Sequence, residues 1–114
     1  MNTRHRTFGQ TVNHLRRQSG LSQKELAAKI QLEESKPISP QYLNDIEHDR
    51  RKPRSEQFIA AIAGALDTSP SYLAFLAGQL PIELSELALD ETRLKRAIQA
   101  FRAAALDAST TGQG

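Results

Sequence analysis

The chain contains no cysteine, which excludes disulfide staples and thiolate metal sites. Its three histidines, His5, His14 and His48, fall in separate predicted elements, two of them within basic segments that disfavour a cation, so no metal cluster is expected. Glycine-rich phosphate loops, GxSxG and HExxH are all missing, which removes the common signatures of catalysis. No segment approaches the roughly 20 uninterrupted apolar residues that cross a bilayer, and the opening MNTRHRTFGQ lacks the apolar run of a secretory leader. The expectation is a cytoplasmic protein that is not an enzyme and needs no cofactor. Internal repeats, a low-complexity core and sustained period-two alternation are likewise absent, so no sheet is expected.

What is present is 114 residues with 39% apolar content, enough for one small domain and an appendage but not for a large active-site cleft. The net charge of +2 hides an asymmetry: Met1 to Arg54 holds eleven Lys or Arg against six Asp or Glu, whereas Ser55 to Gly114 holds four against seven. The positive charge is clustered, with Arg4, Arg6, Arg16 and Arg17 at the front and Arg50, Arg51, Lys52 and Arg54 further on. Such clusters fit a phosphate backbone. If about six of these cations engaged phosphates, log affinity would fall with log salt at a slope of about −5.

Helix signals follow one another along the chain. Phe8, Val12 and Leu15 repeat at spacings of four and three before Gly20, with Arg16 and Arg17 read as facing outward. Ser22 is a natural cap, Glu25 completes a capping box, and Leu26, Ala27 and Ile30 form a narrow inner face. Ser39 caps the next helix with Pro40 at its first position, which directs Leu43 and Ile46 inward and leaves Gln41, Tyr42, Asn44 and Asp45 outside. Short polar side chains of this type suit a major groove, where amides pair with adenine and a carboxylate accepts from cytosine. Ser55 caps a strongly apolar segment carrying Phe58, Ile59, Ile62, Ala63 and Leu66, and Ser69 with Pro70 opens another that buries some combination of Tyr72, Leu73 and Leu76 and stops at Gly78.

From about Phe8 to Gly78 the sequence resembles a phage-repressor-like helix-turn-helix domain of the XRE (Cro/CI) family. The matching residues are Gln23, Glu25, Leu26 and Ala27 in the support helix, Ser39, Tyr42, Leu43, Ile46 and Glu47 in the reader, and Pro53 beyond it. The resemblance implies an all-α, five-helix domain that binds double-stranded DNA. It assigns Pro40, Gln41, Asn44 and Asp45 to base-facing positions and Gln23 to a phosphate, with His48 and Arg50 along the backbone. Arg16, Arg17, Arg51 and Lys52 join the phosphate set through the basic clusters, and Tyr42 is read as partly packed with its hydroxyl near a phosphate. The sequence departs from the family where Gln31 to Ile38 lengthens the turn between support and reader; this reads as a surface loop, either a bland insertion or a further contact to DNA or a partner. Glu33 and Glu34 read there as a solvated pair. Asp45 either accepts from a cytosine or pairs with a neighbouring arginine.

Three units are expected: residues 1–78 as the DNA-binding domain, 79–108 as a helical extension and 109–114 as a disordered tail. In the extension Leu84, Leu87 and Ala88 suggest a short helix, then Asp90 caps a longer one with Leu94, Ile98 and Phe101 along one face. That face either folds back on its own domain or forms a homodimer interface. The favoured reading is a sequence-specific transcriptional regulator, a repressor occupying a palindromic operator. The competing reading is a protein-interaction module, antitoxin-like, that captures a partner on the C-terminal helix.

Overall fold

Each of the five N-terminal helices starts at a hydroxyl. The computed structural model describes residues 6–80, 84 and 86–111, and these contain six helices and no strand: α1 (Phe8–Gln18), α2 (Gln23–Glu34), α3 (Pro40–Glu47), α4 (Glu56–Leu66), α5 (Pro70–Leu76) and α6 (Glu91–Thr111). Thr7, Ser22, Ser39, Ser55 and Ser69 each accept from the backbone N–H three residues on, at 3.0–3.2 Å. Each bond satisfies an N–H that the helix cannot satisfy internally. Gln10 and Glu25 close reciprocal capping boxes with Thr7 and Ser22, and Pro40 and Pro70 occupy first-turn positions where no N–H is needed. At α6 the Arg93 N–H donates to the carboxylate of Asp90 at 2.8 Å, the cap expected there.

The core is organised around α4, whose Phe58, Ile59, Ala61, Ile62, Ala63, Ala65 and Leu66 are all buried. It packs against α2 and α5, while α3 packs against α1 and α2. Val12, Leu26, Ile30, Leu43, Ile46 and Leu73 complete the interior. Gly9 lets α1 approach the end of α3: a Cβ there would collide with the carbonyl oxygens of Ile46 and Glu47 and with the Asp49 carboxylate. The approach is then used, because Asp49 accepts from the Gly9 N–H at 3.0 Å and from the Thr7 hydroxyl at 2.6 Å. A carboxylate at this helix N-terminus also meets the positive end of the α1 dipole.

Several expectations change. Gln31 to Glu34 are not loop: they add a turn to α2, which ends at Ser35 in a left-handed conformation (φ 63°). The connection is therefore Ser35 to Ser39, and the long turn of the sequence is chiefly a long helix. Glu34, read as half of a solvated loop pair, lies on that added turn with its side chain only 5% exposed, bound to Arg54 at 2.6 Å. Arg54 also donates to the Pro37 carbonyl at 3.4 Å and stacks 4.7 Å from the Phe58 ring centroid. It clasps the connection to the core. In α5 Leu73 is buried and Leu76 half-buried, whereas Tyr72 stays exposed. The helix α6 runs to Thr111, into the stretch expected to be disordered, and residues 112–114 of that stretch lie outside those described. The short helix expected around Leu84 falls partly on residues outside those described, 81–83 and 85.

Candidate nucleic-acid interface

The reader helix α3 is held by a carboxylate at its base. Glu47 is 4% exposed and accepts from Arg16 Nε at 2.6 Å and Nη2 at 3.1 Å, from Asn13 Nδ2 at 2.8 Å and from Gln23 Nε2 at 3.0 Å. Arg16 donates in addition to the Leu21 carbonyl at 2.8 Å. One ion pair thus ties α1, the start of α2 and the last turn of α3 together. Burial would push the Glu47 carboxyl up, but the bonds from Arg16, Asn13 and Gln23 and the guanidinium charge outweigh it and hold the group below its ordinary range.

This overturns the outward placement of Arg16. It is 9% exposed with its guanidinium consumed internally, so it is a structural residue and not a phosphate contact. The signal was in the sequence: Arg16 follows Val12 by four and Phe8 by eight, on the buried stripe of α1, and Glu47 follows Leu43 by four on the buried face of α3. Two opposite charges on two inner faces need each other. Asn13, which also donates to Glu47, carries no such pattern, since an asparagine in mid-helix has no counter-charge to call for.

On the outer side of α3, Pro40 and Gln41 are exposed and Asn44 and Asp45 half-buried. Their side chains are already oriented by neighbours. Gln23 donates to Asn44 Oδ1 at 3.0 Å, which fixes the Asn44 oxygen toward the protein and leaves its NH2 group outward. Asp45 accepts from Gln41 Nε2 and from Arg50 Nε, both at 3.1 Å; of the two uses expected for Asp45, the structure contains the arginine pair. His48 is exposed, and its Nδ1 lies 2.8 Å from the Asn44 carbonyl. Since a carbonyl only accepts, Nδ1 carries the proton and Nε2 is presented to the outside.

The cations beyond α3 divide into two groups. Arg50 is engaged by Asp45 and Arg54 by Glu34, whereas Lys52 and Arg51 are exposed, Arg51 lying 5.5 Å from the Tyr42 ring centroid. Tyr42 packs against Phe58 with ring centroids 5.5 Å apart and donates its hydroxyl to the Lys52 carbonyl at 3.4 Å. The partial packing expected of it is present. Arg17 is exposed at the end of α1. Arg4 and His5 lie outside the described residues. Leu94, Ile98 and Phe101 lie along α6 and are 44%, 44% and 62% exposed, remote in sequence from this surface.

A capped support helix, a short connection and a second capped helix presenting amides and a carboxylate beside a basic segment constitute a DNA-binding helix-turn-helix. A family model described as helix-turn-helix matches residues 13–73, more than half of the chain. The chain belongs to the XRE-type helix-turn-helix family of DNA-binding transcriptional regulators. No curated protein and no solved structure matches it. No helix among the described residues is long and apolar enough to cross a membrane.

Proposed function

We propose that the protein is a repressor that binds a palindromic operator as a homodimer, reading bases through Pro40, Gln41, Asn44 and Asp45. The observation that carries this reading is the row of pre-oriented polar groups on α3, with Gln23 holding Asn44 and Asp45 holding Gln41. Side chains fixed before binding lose little entropy on binding. The Asn44 amide, its NH2 outward, is a donor for an acceptor on a base edge, and Gln41 at the first turn reaches the groove floor. Phosphates are met by Tyr42, His48, Arg51, Lys52 and Arg17, and by Arg50 once it exchanges Asp45 for a phosphate; both amide protons of Gln23 already go to Asn44 and Glu47, so its side chain is not counted among the phosphate donors. One eight-residue reader supplies few base contacts, and two readers related by a two-fold axis would engage half-sites about one helical turn, roughly 34 Å, apart. Repression follows if such a site overlaps a promoter, because an occupied operator excludes polymerase.

The test is selection from random-sequence duplex DNA at two salt concentrations. Enrichment of one palindrome, lost in the Gln41→Ala/Asn44→Ala double variant, is the expected result. Sequence-blind binding that the double variant leaves unchanged would refute base reading by α3. A protein-interaction role has one observation in its favour, the uncovered apolar face of α6, and that face is compatible with DNA reading by α3.

A further inference from the structure

The polarity of one amide on the reader helix is decided from inside the domain. A guanidinium can only donate, and the Glu47 carboxylate paired with Arg16 can only accept. The Gln23 group 3.0 Å from Glu47 Oε1 is therefore its NH2, and the same NH2 also donates to Asn44 Oδ1 at 3.0 Å. Each orientation forces the next. Turning Gln23 over would set its carbonyl oxygen against the Glu47 carboxylate, and turning Asn44 over would set NH2 against NH2, two donors with no acceptor between them. What Asn44 shows to the outside is a donor alone.

We infer that Asn44 reads guanine and that Gln23, backed by Glu47, sets this choice. Base reading by α3, as proposed above, is the premise on which this rests. In the major groove guanine offers two acceptors, N7 and O6, to the protons of one NH2 group. Adenine sets its N6 amino donor beside N7 and so asks for an acceptor next to the donor, but the Asn44 oxygen is turned to Gln23. The pairing common between asparagine and adenine is thereby closed to this side chain. Cytosine presents an amino donor to a donor, and thymine has a single acceptor, O4, beside its methyl group. Gln41 supplies the contrast. Its Nε2 donates to Asp45 at 3.1 Å, but the residue is exposed and its partner is itself shared with Arg50, so this amide can turn to suit the base. The chain that orients Asn44 ends instead on a carboxylate that is 4% exposed. Gln23 and Glu47 are positioning residues, acting on the base through Asn44.

The test is selection from random-sequence duplex DNA with the full-length wild type, Asn44→Ala and Gln23→Ala. Asn44→Ala marks the base pair that Asn44 reads, as the position whose preference it loses. At that position the wild type should favour guanine over adenine by about tenfold, the scale of one bidentate base contact. Gln23→Ala frees the Asn44 amide to turn over, so adenine should rise to within about threefold of guanine there while every other position keeps its preference. Gln23→Met, which keeps the length of the side chain and removes the donor, should relax the same position. A purely structural role for Gln23 would lower affinity for all sequences alike and leave the guanine preference intact, which would overturn the orienting chain. Any base other than guanine preferred there by the wild type overturns the inference and leaves base reading by α3 standing. If Asn44→Ala alters no position, both fall. The identity of the base is decided by the wild type and Asn44→Ala alone, so it holds or fails whether or not the Gln23 variants fold, which circular dichroism checks.

Discussion

Arg16 and Glu47 show how much depends on one buried pair at the residue scale. Removing the charge of Glu47 leaves a guanidinium with little access to water, so Glu47→Gln should cost about 2–3 kcal/mol at neutral pH, measured by urea denaturation. The pH dependence has a definite sign. Because the folded-state value lies below the ordinary 4.5, the unfolded chain binds the proton first in acid. The stability contributed by Glu47 is therefore full above about that value and lost as pH falls through the lower folded-state value. Denaturation curves from pH 7 to 3 should show a steeper acid loss in the wild type than in Glu47→Gln. Asp45 acts differently, since its exposed pair with Arg50 contributes little to stability. Asp45→Ala should release Arg50 to phosphates, strengthening sequence-blind DNA binding several-fold in a low-salt titration while weakening discrimination between sites.

At the scale of elements, the angle of the reader is set by close approaches that no single helix specifies. Gly9 admits the end of α3 against α1, and backbone cannot retreat as a flexible side chain can. Gly9→Ala should destabilise the domain by about 2–3 kcal/mol and lower DNA affinity with it, as thermal melting and titration would show. The extra turn of α2 ends on Ser35 at φ 63°, a conformation that costs a non-glycine residue more than glycine. Ser35→Gly should stabilise the protein by about 0.5 kcal/mol, offset in part by the greater freedom of unfolded glycine. A Gly substitution that destabilised instead would mean that Ser35 contributes a side-chain contact there.

At the scale of the molecule, charge and apolar surface are segregated. Of the eight clustered cations, Arg4 lies outside the described residues and Arg16, Arg50 and Arg54 are held by Glu47, Asp45 and Glu34, leaving Arg6, Arg17, Arg51 and Lys52 as the described members available to neutralise phosphate. Four contacts per chain predict a slope of log affinity against log salt of roughly −3 to −4 per chain, and about double for a dimer. This is shallower than charge counting implied for one chain. A measured slope near −5 per chain would mean that internal pairs such as Arg54 with Glu34 open on DNA.

The local features were legible from residue order alone. Caps at Ser22, Ser39, Ser55 and Ser69, prolines at first positions and the apolar stripes of α1 to α5 depend on neighbours within a few residues, so a one-dimensional pattern contains them. The outward row of α3 follows from the same periodicity. Tertiary structure decided what depends on partners distant in sequence: that Arg16 turns inward to Glu47, that Glu34 and Arg54 convert an apparent loop into helix and clasp, and that Asp45 holds both Gln41 and Arg50. A charge on a helix reads as exposed until the element bearing its counter-charge is placed beside it, and only the packing of α1, α2 and α3 places it there.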